Sequence, residues 1–182
     1  MQKPNHDLPI KVKSTYLKLQ SKKVAIDKDI KTDSGSLIVL VKETQKKELT
    51  KVENDQWPDS VECTYNVYKN HAGEIIFIAK IPFSESGDWD IVYKHYFDQE
   101  GHTFAFTKEE SYFDDNVKGG IVRKKLVDFY DGAFKTIHHS TRMVDKDYHL
   151  LSGNMDNFDV QEFPYHIYKN RADCLKGYGI KL

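Results

Sequence analysis

Cysteine is scarce in this chain: Cys63 and Cys174 are the only two in 182 residues. They are too few for a disulfide scaffold and too far apart for a local zinc knuckle. Two readings of the pair stay open. They are either reduced, half-buried thiols or one long-range disulfide, which would need an oxidising compartment and stabilise by about 4–5 kcal/mol through chain entropy. A dominant charge sign is also missing. With 27 basic and 28 acidic residues the formal net charge is −1, so no bulk electrostatic term draws the chain to nucleic acid or anionic lipid, and nucleic acid is not an expected partner. Long apolar runs are absent too. None is longer than a run such as Leu37 to Val41, which cannot cross a bilayer, so no transmembrane segment is expected, and nothing near Met1 has the order of a signal peptide. The chain reads as soluble: cytoplasmic if Met1 is its natural start, periplasmic or envelope-associated if an export segment preceded it.

The usual catalytic motifs are missing as well. There is no Gly-x-Ser-x-Gly elbow, no phosphate-binding glycine loop, no dinucleotide fingerprint and no His-Glu-x-x-His. Eight histidines are present, the densest group being His138-His139, but neighbours on a strand point to opposite faces and cannot share one ion. His95 and His102 flank one turn and could supply two ligands, short of the three or four that zinc needs. The expectation is no intrinsic metal and no cofactor. The acidic stretch Ser84 to Asp90 lacks the ligand spacing of a calcium loop and reads as a solvated connector.

What is abundant is aromatic surface. Aromatic residues make up 13% of the chain, against 39% hydrophobic and 30% charged overall, a globular composition that leans towards sheet. Length points to a single domain, 1–182. Residues 1–33 are Lys-rich and irregular, with a short alternation at Ile10-Lys11-Val12 that suggests an edge strand. Cap-type residues Asp33 to Ser36 then precede Ile38, Val41, Gln45, Leu49 and Val52, a spacing that predicts a helix over 36–52. The β-branched run at 37–41 leaves a strand as the alternative.

From Val61 the period changes to two, and 61–145 reads as a meander of three hairpins with about six strands. The turns fall at Asn70 to Gly73, at Asp98 to Gly101 and at Asp131-Gly132. Residues 163–168 read as extended, followed by a short helix from an Asn170 cap, with Gly177 and Gly179 at its end. The expected fold is α+β: an antiparallel meander with the 36–52 helix on one face and a short C-terminal helix.

Trp89, Tyr93 and His95 share one strand face with Ile91 and Phe97, while Tyr96 lies on the other. Trp89, Tyr93 and His95 are the expected binding side chains if their face is free; Tyr96 and its neighbours take that role if it is the core side. The connectors 84–88 and 114–120 are the other expected contact regions.

Several segments carry a resemblance: Trp57-Pro58-Asp59-Ser60, Ser84 to Trp89, His95 to Asp98 with Gly101 to Phe106, and Phe163-Pro164-Tyr165 with Leu175 to Ile180. Through them, residues 55–182 resemble a group of uncharacterised, β-rich proteins of Bacteroidetes-type bacteria, many of them exported. The hairpin rhythm is also similar to MORN-type repeats, though with longer spacing and without their second glycine. The first resemblance implies an envelope location and a Cys63–Cys174 bridge, and brings no activity with it. The expected function is a non-catalytic protein-binding module, immunity-type or envelope-associated. The alternative is a small hydrolase using His and Asp at strand ends.

Overall fold

The computed structural model describes residues 10–117, 119–151 and 164–182. One antiparallel sheet of eight strands organises the chain. Helix α1 (Ile10–Thr32) is followed by β1 (Ile38–Glu43), β2 (Thr50–Lys51), β3 (Val61–Lys69), β4 (Ile75–Pro82), β5 (Trp89–Phe97), β6 (Thr103–Phe113), β7 (Ile121–Tyr130), β8 (Thr136–Asp145) and helix α2 (Arg171–Tyr178). From β3 to β8 each strand pairs with its successor, and β1 pairs with both β3 and β2. The α+β meander expected from the sequence is present, with eight strands rather than about six.

The three hairpins at 61–82, 89–113 and 121–145 lie where the period-two pattern puts them. Their turns follow one design. Asn70, Asp98 and Asp131 each close a five-residue turn, donating N–H to the carbonyl of the fourth residue on and accepting an N–H from the third. Their side-chain oxygens accept the amide protons of Glu74, His102 and Lys135. Position four must be left-handed: Gly73 (φ 81°), Gly101 (φ 85°) and Phe134 (φ 60°) fill it. The third turn therefore runs from Asp131 to Lys135 and bends at Phe134, not at the Asp131-Gly132 pair. Phe134 offsets its backbone strain by stacking on Tyr130, centroids 4.5 Å apart. These three turns define the lower end of the sheet; the connector 83–88 and the described residues of 114–120 lie at the upper end.

The helix expected at 36–52 is not there. Its first part is β1, where Leu40 and Val41 are 5% and 0% exposed; an apolar run without periodicity, buried on both sides, favours strand. The helix lies in the supposedly irregular N-terminal segment instead. Tyr16, Leu19, Lys23, Ile26 and Ile30 recur at three and four, and the four apolar members of this stripe pack on one sheet face against Tyr68, Phe77, Tyr96, Phe104 and Phe129. The Ile10 to Val12 alternation is the first turn of α1 and not an edge strand.

The opposite face is covered by the C-terminal strap. Residues 164–168 carry no regular structure, and the extended segment expected over 163–168 lies outside the described residues at Phe163. Asn170 caps α2 by accepting the N–H of Asp173, and Gly179 ends it at φ 68°. Gly177 lies inside the helix, where Tyr168 crosses so closely that a Cβ would sit 2.1 Å from its hydroxyl oxygen. Cys63 and Cys174 are both buried in this layer, in one apolar cluster, and unbonded.

The direction of α1 can be tested by shortening one side chain on each side of it. Ile26 is 4% exposed and Val24 60%. Ile26→Ala should cost about 3 kcal/mol in urea unfolding and Val24→Ala less than about 0.5 kcal/mol.

Candidate functional site

Strand β5 holds the four residues singled out by the sequence, and the structure places them in the core. Tyr93 and His95 are 0% exposed and Tyr96 is 1% exposed. Trp89 is half-buried between two apolar clusters. The alternation of faces holds, but both faces are covered at this point, so neither choice provides a free surface. Tyr96 lies under α1, where its hydroxyl donates to Asp27 Oδ1 at 2.7 Å. Asp27 also takes Lys23 Nζ at 2.7 Å, and that ammonium sits 4.6 Å from the Tyr96 ring centre. Burial pushes Lys23 down and the carboxylate of Asp27 works against it.

On the other face His95 anchors the strap. Tyr168 donates its backbone N–H to His95 Nε2 at 3.2 Å, which puts the proton of the neutral imidazole on Nδ1. Nδ1 is buried with no partner among the described residues, and Phe97, Phe106, Tyr168 and Tyr178 surround the ring. Burial draws its pKa down to about 3. Thr103 extends the same attachment, its hydroxyl donating to the Tyr168 carbonyl at 2.7 Å and its N–H to that of Lys169 at 2.9 Å.

The other histidines are dispersed. His138 stacks on Tyr16 at 4.1 Å, and on the opposite face His139 Nδ1 meets Asp128 at 2.6 Å. His102 is exposed beyond the end of the strand that buries His95, so the two are not brought together. Two groups bring three possible ligands within 4.8 Å, Asp98/Glu100/His102 and Asp145/Asp147/His149. In each, the first aspartate already accepts backbone donors of its turn. His139 also has Thr141 Oγ1 at 3.4 Å from Nε2. Carboxylate, imidazole and hydroxyl stand in the order used by general-base catalysis. His139 and Thr141 stand on the edge strand β8, His139 open to water, while Asp128 is buried beside them on β7; the trio lies outside the recesses of the upper end.

Those recesses form where α1, which crosses the lower half of its face, leaves the upper half open. One of about 440 Å³ is lined by Val92, Glu109, Arg123, Arg142, Val144 and Tyr148 among others. Glu109 bonds both Lys94 and Lys125; burial opposes its ionisation, but the two ammonium groups outweigh this and draw its carboxyl down to about 2. Arg123 gives one N–H to the Lys146 carbonyl at 2.9 Å and lies 5.0 Å from the ring centre of Tyr148. A smaller recess adjoins at the connector 84–88, with Gly87, Asp88 and Trp89 on one side and Phe113 on the other.

Tyr148 was not singled out by the sequence reading. It occupies position four of a further turn of the same design, Asp145 to His149, at φ 65° and 67% exposed. The signal was available: Asp145-Lys146-Asp147-Tyr148-His149 parallels Asp98-Gln99-Glu100-Gly101-His102, with tyrosine where the parallel has glycine.

Comparison with family models, curated proteins and solved structures finds no match. No described helix is long and apolar enough to cross a membrane.

The His95 anchor makes stability depend on pH. The folded state holds the imidazole neutral down to about 3, well below its value of about 6.5 in an unfolded chain. Its contribution is therefore complete above pH 6.5 and is lost as pH falls towards 3. Between pH 6.5 and 5 the loss should be about 2 kcal/mol. Urea midpoints at the two pH values should show this difference in the native chain, and His95→Gln should remove most of it.

Proposed function

We propose that the protein is a non-catalytic protein-binding module that meets its partner with the upper end of the sheet, on the face that α1 leaves open. Tyr148 carries this reading. A non-glycine residue in the left-handed region costs about 1 kcal/mol, and glycine serves the equivalent position of two other turns. An aromatic ring that is strained, exposed and backed by a guanidinium gives up stability for surface. Tyrosine and arginine are also the side chains on which interface energy concentrates. Phe83 and Phe113, 56% and 64% exposed, lie at the same end of the sheet, and single exposed rings gain weight when they share a surface with a recess.

An immunity-type or envelope-associated role is the concrete form proposed. Its support is a rigid sheet presenting contact residues on connectors, together with the resemblance of residues 55–182. The hydrolase alternative would centre on Asp128, His139 and Thr141. Binding is preferred because a nucleophile needs enclosure and nearby oxyanion donors, and this trio lines neither recess.

The test is capture of a partner from cells that produce the protein, followed by affinity measurement. Tyr148→Gly combined with Arg142→Glu should weaken binding by about 100-fold while leaving the thermal midpoint unchanged or higher. Trp57→Ala, in the connector before β3, should bind like the native chain. Equal affinity in all three would contradict the proposal.

A further inference from the structure

The two faces of strands β5 to β8 differ in charge. The ladder register places Asp90, Lys94, Glu109, Arg123, Lys125 and Arg142 on the side of α1, four cations against two carboxylates. On the strap side Lys108 and Lys124 stand against Glu110, Asp128 and Asp145. Helix α1 adds to the first side, holding seven lysines and two aspartates between Ile10 and Thr32. Lys13, Lys18, Lys28 and Lys31 of the helix are exposed. Helix and sheet face together carry a formal excess of seven positive charges, in a chain whose net charge is −1. A field of one sign therefore stands over this side of the molecule.

Within that field the guanidinium groups of the recess are not neutralised. Arg142 lies directly opposite Lys125 in the ladder, a like-charge pair that is unfavourable by itself, and Lys125 turns to Glu109 at 2.6 Å. Glu109 is already shared with Lys94. Arg123 gives one N–H to the Lys146 carbonyl, and Arg142 makes no side-chain hydrogen bond or ion pair among the described residues. Arg123 pairs with Val144, so it stands one diagonal step from Arg142, about 7 Å between Cβ atoms. One carboxylate can bridge two long guanidinium side chains at that spacing, and the Tyr148 ring closes the side of the recess. The chain on either side of residues 152–163 lies on the other face: Leu151 packs on Tyr112, Val122 and Met143, and Tyr165 stacks on Tyr93 and Phe106.

We propose that the partner of this surface is acidic: a protein segment that sets an aspartate or glutamate side chain between Arg123 and Arg142, beside the Tyr148 ring, with the lysines of α1 steering its approach. The inference rests on the contact surface proposed above and names the chemistry of what that surface meets. Guanidinium groups take carboxylates in paired hydrogen bonds. Nucleic acid fits less well, because Asp90 and Glu109 stand in the same floor and would face the phosphates of a continuous polyanion. Separate carboxylates can fall between them.

Fluorescence anisotropy of labelled hexaglutamate, hexalysine and a short single-stranded DNA of equal charge, each titrated with the full chain, tests this. The native chain should bind hexaglutamate, ignore hexalysine and hold the DNA more weakly. Raising salt from about 50 to about 200 mM should weaken the acidic peptide about tenfold. Arg142→Gln should also weaken it about tenfold, with the thermal midpoint unchanged or raised because the like-charge pair with Lys125 is gone. Lys181→Gln deletes an equal charge beside Glu48 on the β1–β2 connector and should leave peptide affinity as it was. Hexaglutamate that does not bind, equal affinity in these two variants, or DNA held as tightly as the peptide would overturn the proposal. So would a peptide that binds only after Asp156→Asn, Asp159→Asn and Glu162→Gln, which would assign the recess to the chain's own acids. A captured partner that depends on Tyr148 while hexaglutamate fails to bind leaves the contact surface standing and overturns its acidic partner alone.

Discussion

The fold depends on a central strand, β5, that is buried on both sides at its lower end. Ile91, Tyr93, His95 and Phe97 face one way and Tyr96 the other, each at most 1% exposed. An antiparallel sheet with one wet face would need a single cover; this one needs two. Helix α1 supplies one and the strap ending in α2 the other. Each cover is tied to β5 by a buried polar contact, Tyr96 to Asp27 under α1 and His95 to Tyr168 under the strap. Buried polar groups are costly when unpaired, so these contacts set where each cover must sit.

Both covers engage the lower part of the sheet. The bridge between His102 and Asn170 and the bond from Arg171 N–H to the Gly101 carbonyl bring α2 to that end, and α1 crosses the meander through Phe129, Ala105, Tyr96 and Phe77. The upper end is left with connectors, a charged recess and exposed rings. A surface of this kind can vary while the doubly covered lower half holds it rigid. The proposed contact site is therefore a consequence of how the core is closed.

Much of this was legible in the sequence. Alternation of period two and the Asn/Asp turn residues located all three hairpins, and Asn170 and Gly179 marked the ends of α2. Two long-range effects hid the rest. Leu37 to Val41 has an apolar content that suits either helix or strand, and only burial against β3 and β2 decides it. The stripe in α1 was masked by Lys23 at a core position, where Asp27 makes burial tolerable, and by Leu17 and Val24 on the wet side, 49% and 60% exposed. For the site, parity along β5 was right, but that both faces are covered is a tertiary fact. Tyr148 could be found only by noticing tyrosine where a parallel turn has glycine.

Residue-resolved hydroxyl-radical footprinting of the tyrosines tests the double cover most directly. Tyr148 should be modified rapidly and Tyr93 and Tyr96 protected, with both losing protection together only when the chain unfolds. Labelling of Tyr93 or Tyr96 in the native state at a rate comparable to Tyr148 would show that one face of the sheet is open, and the account would fail.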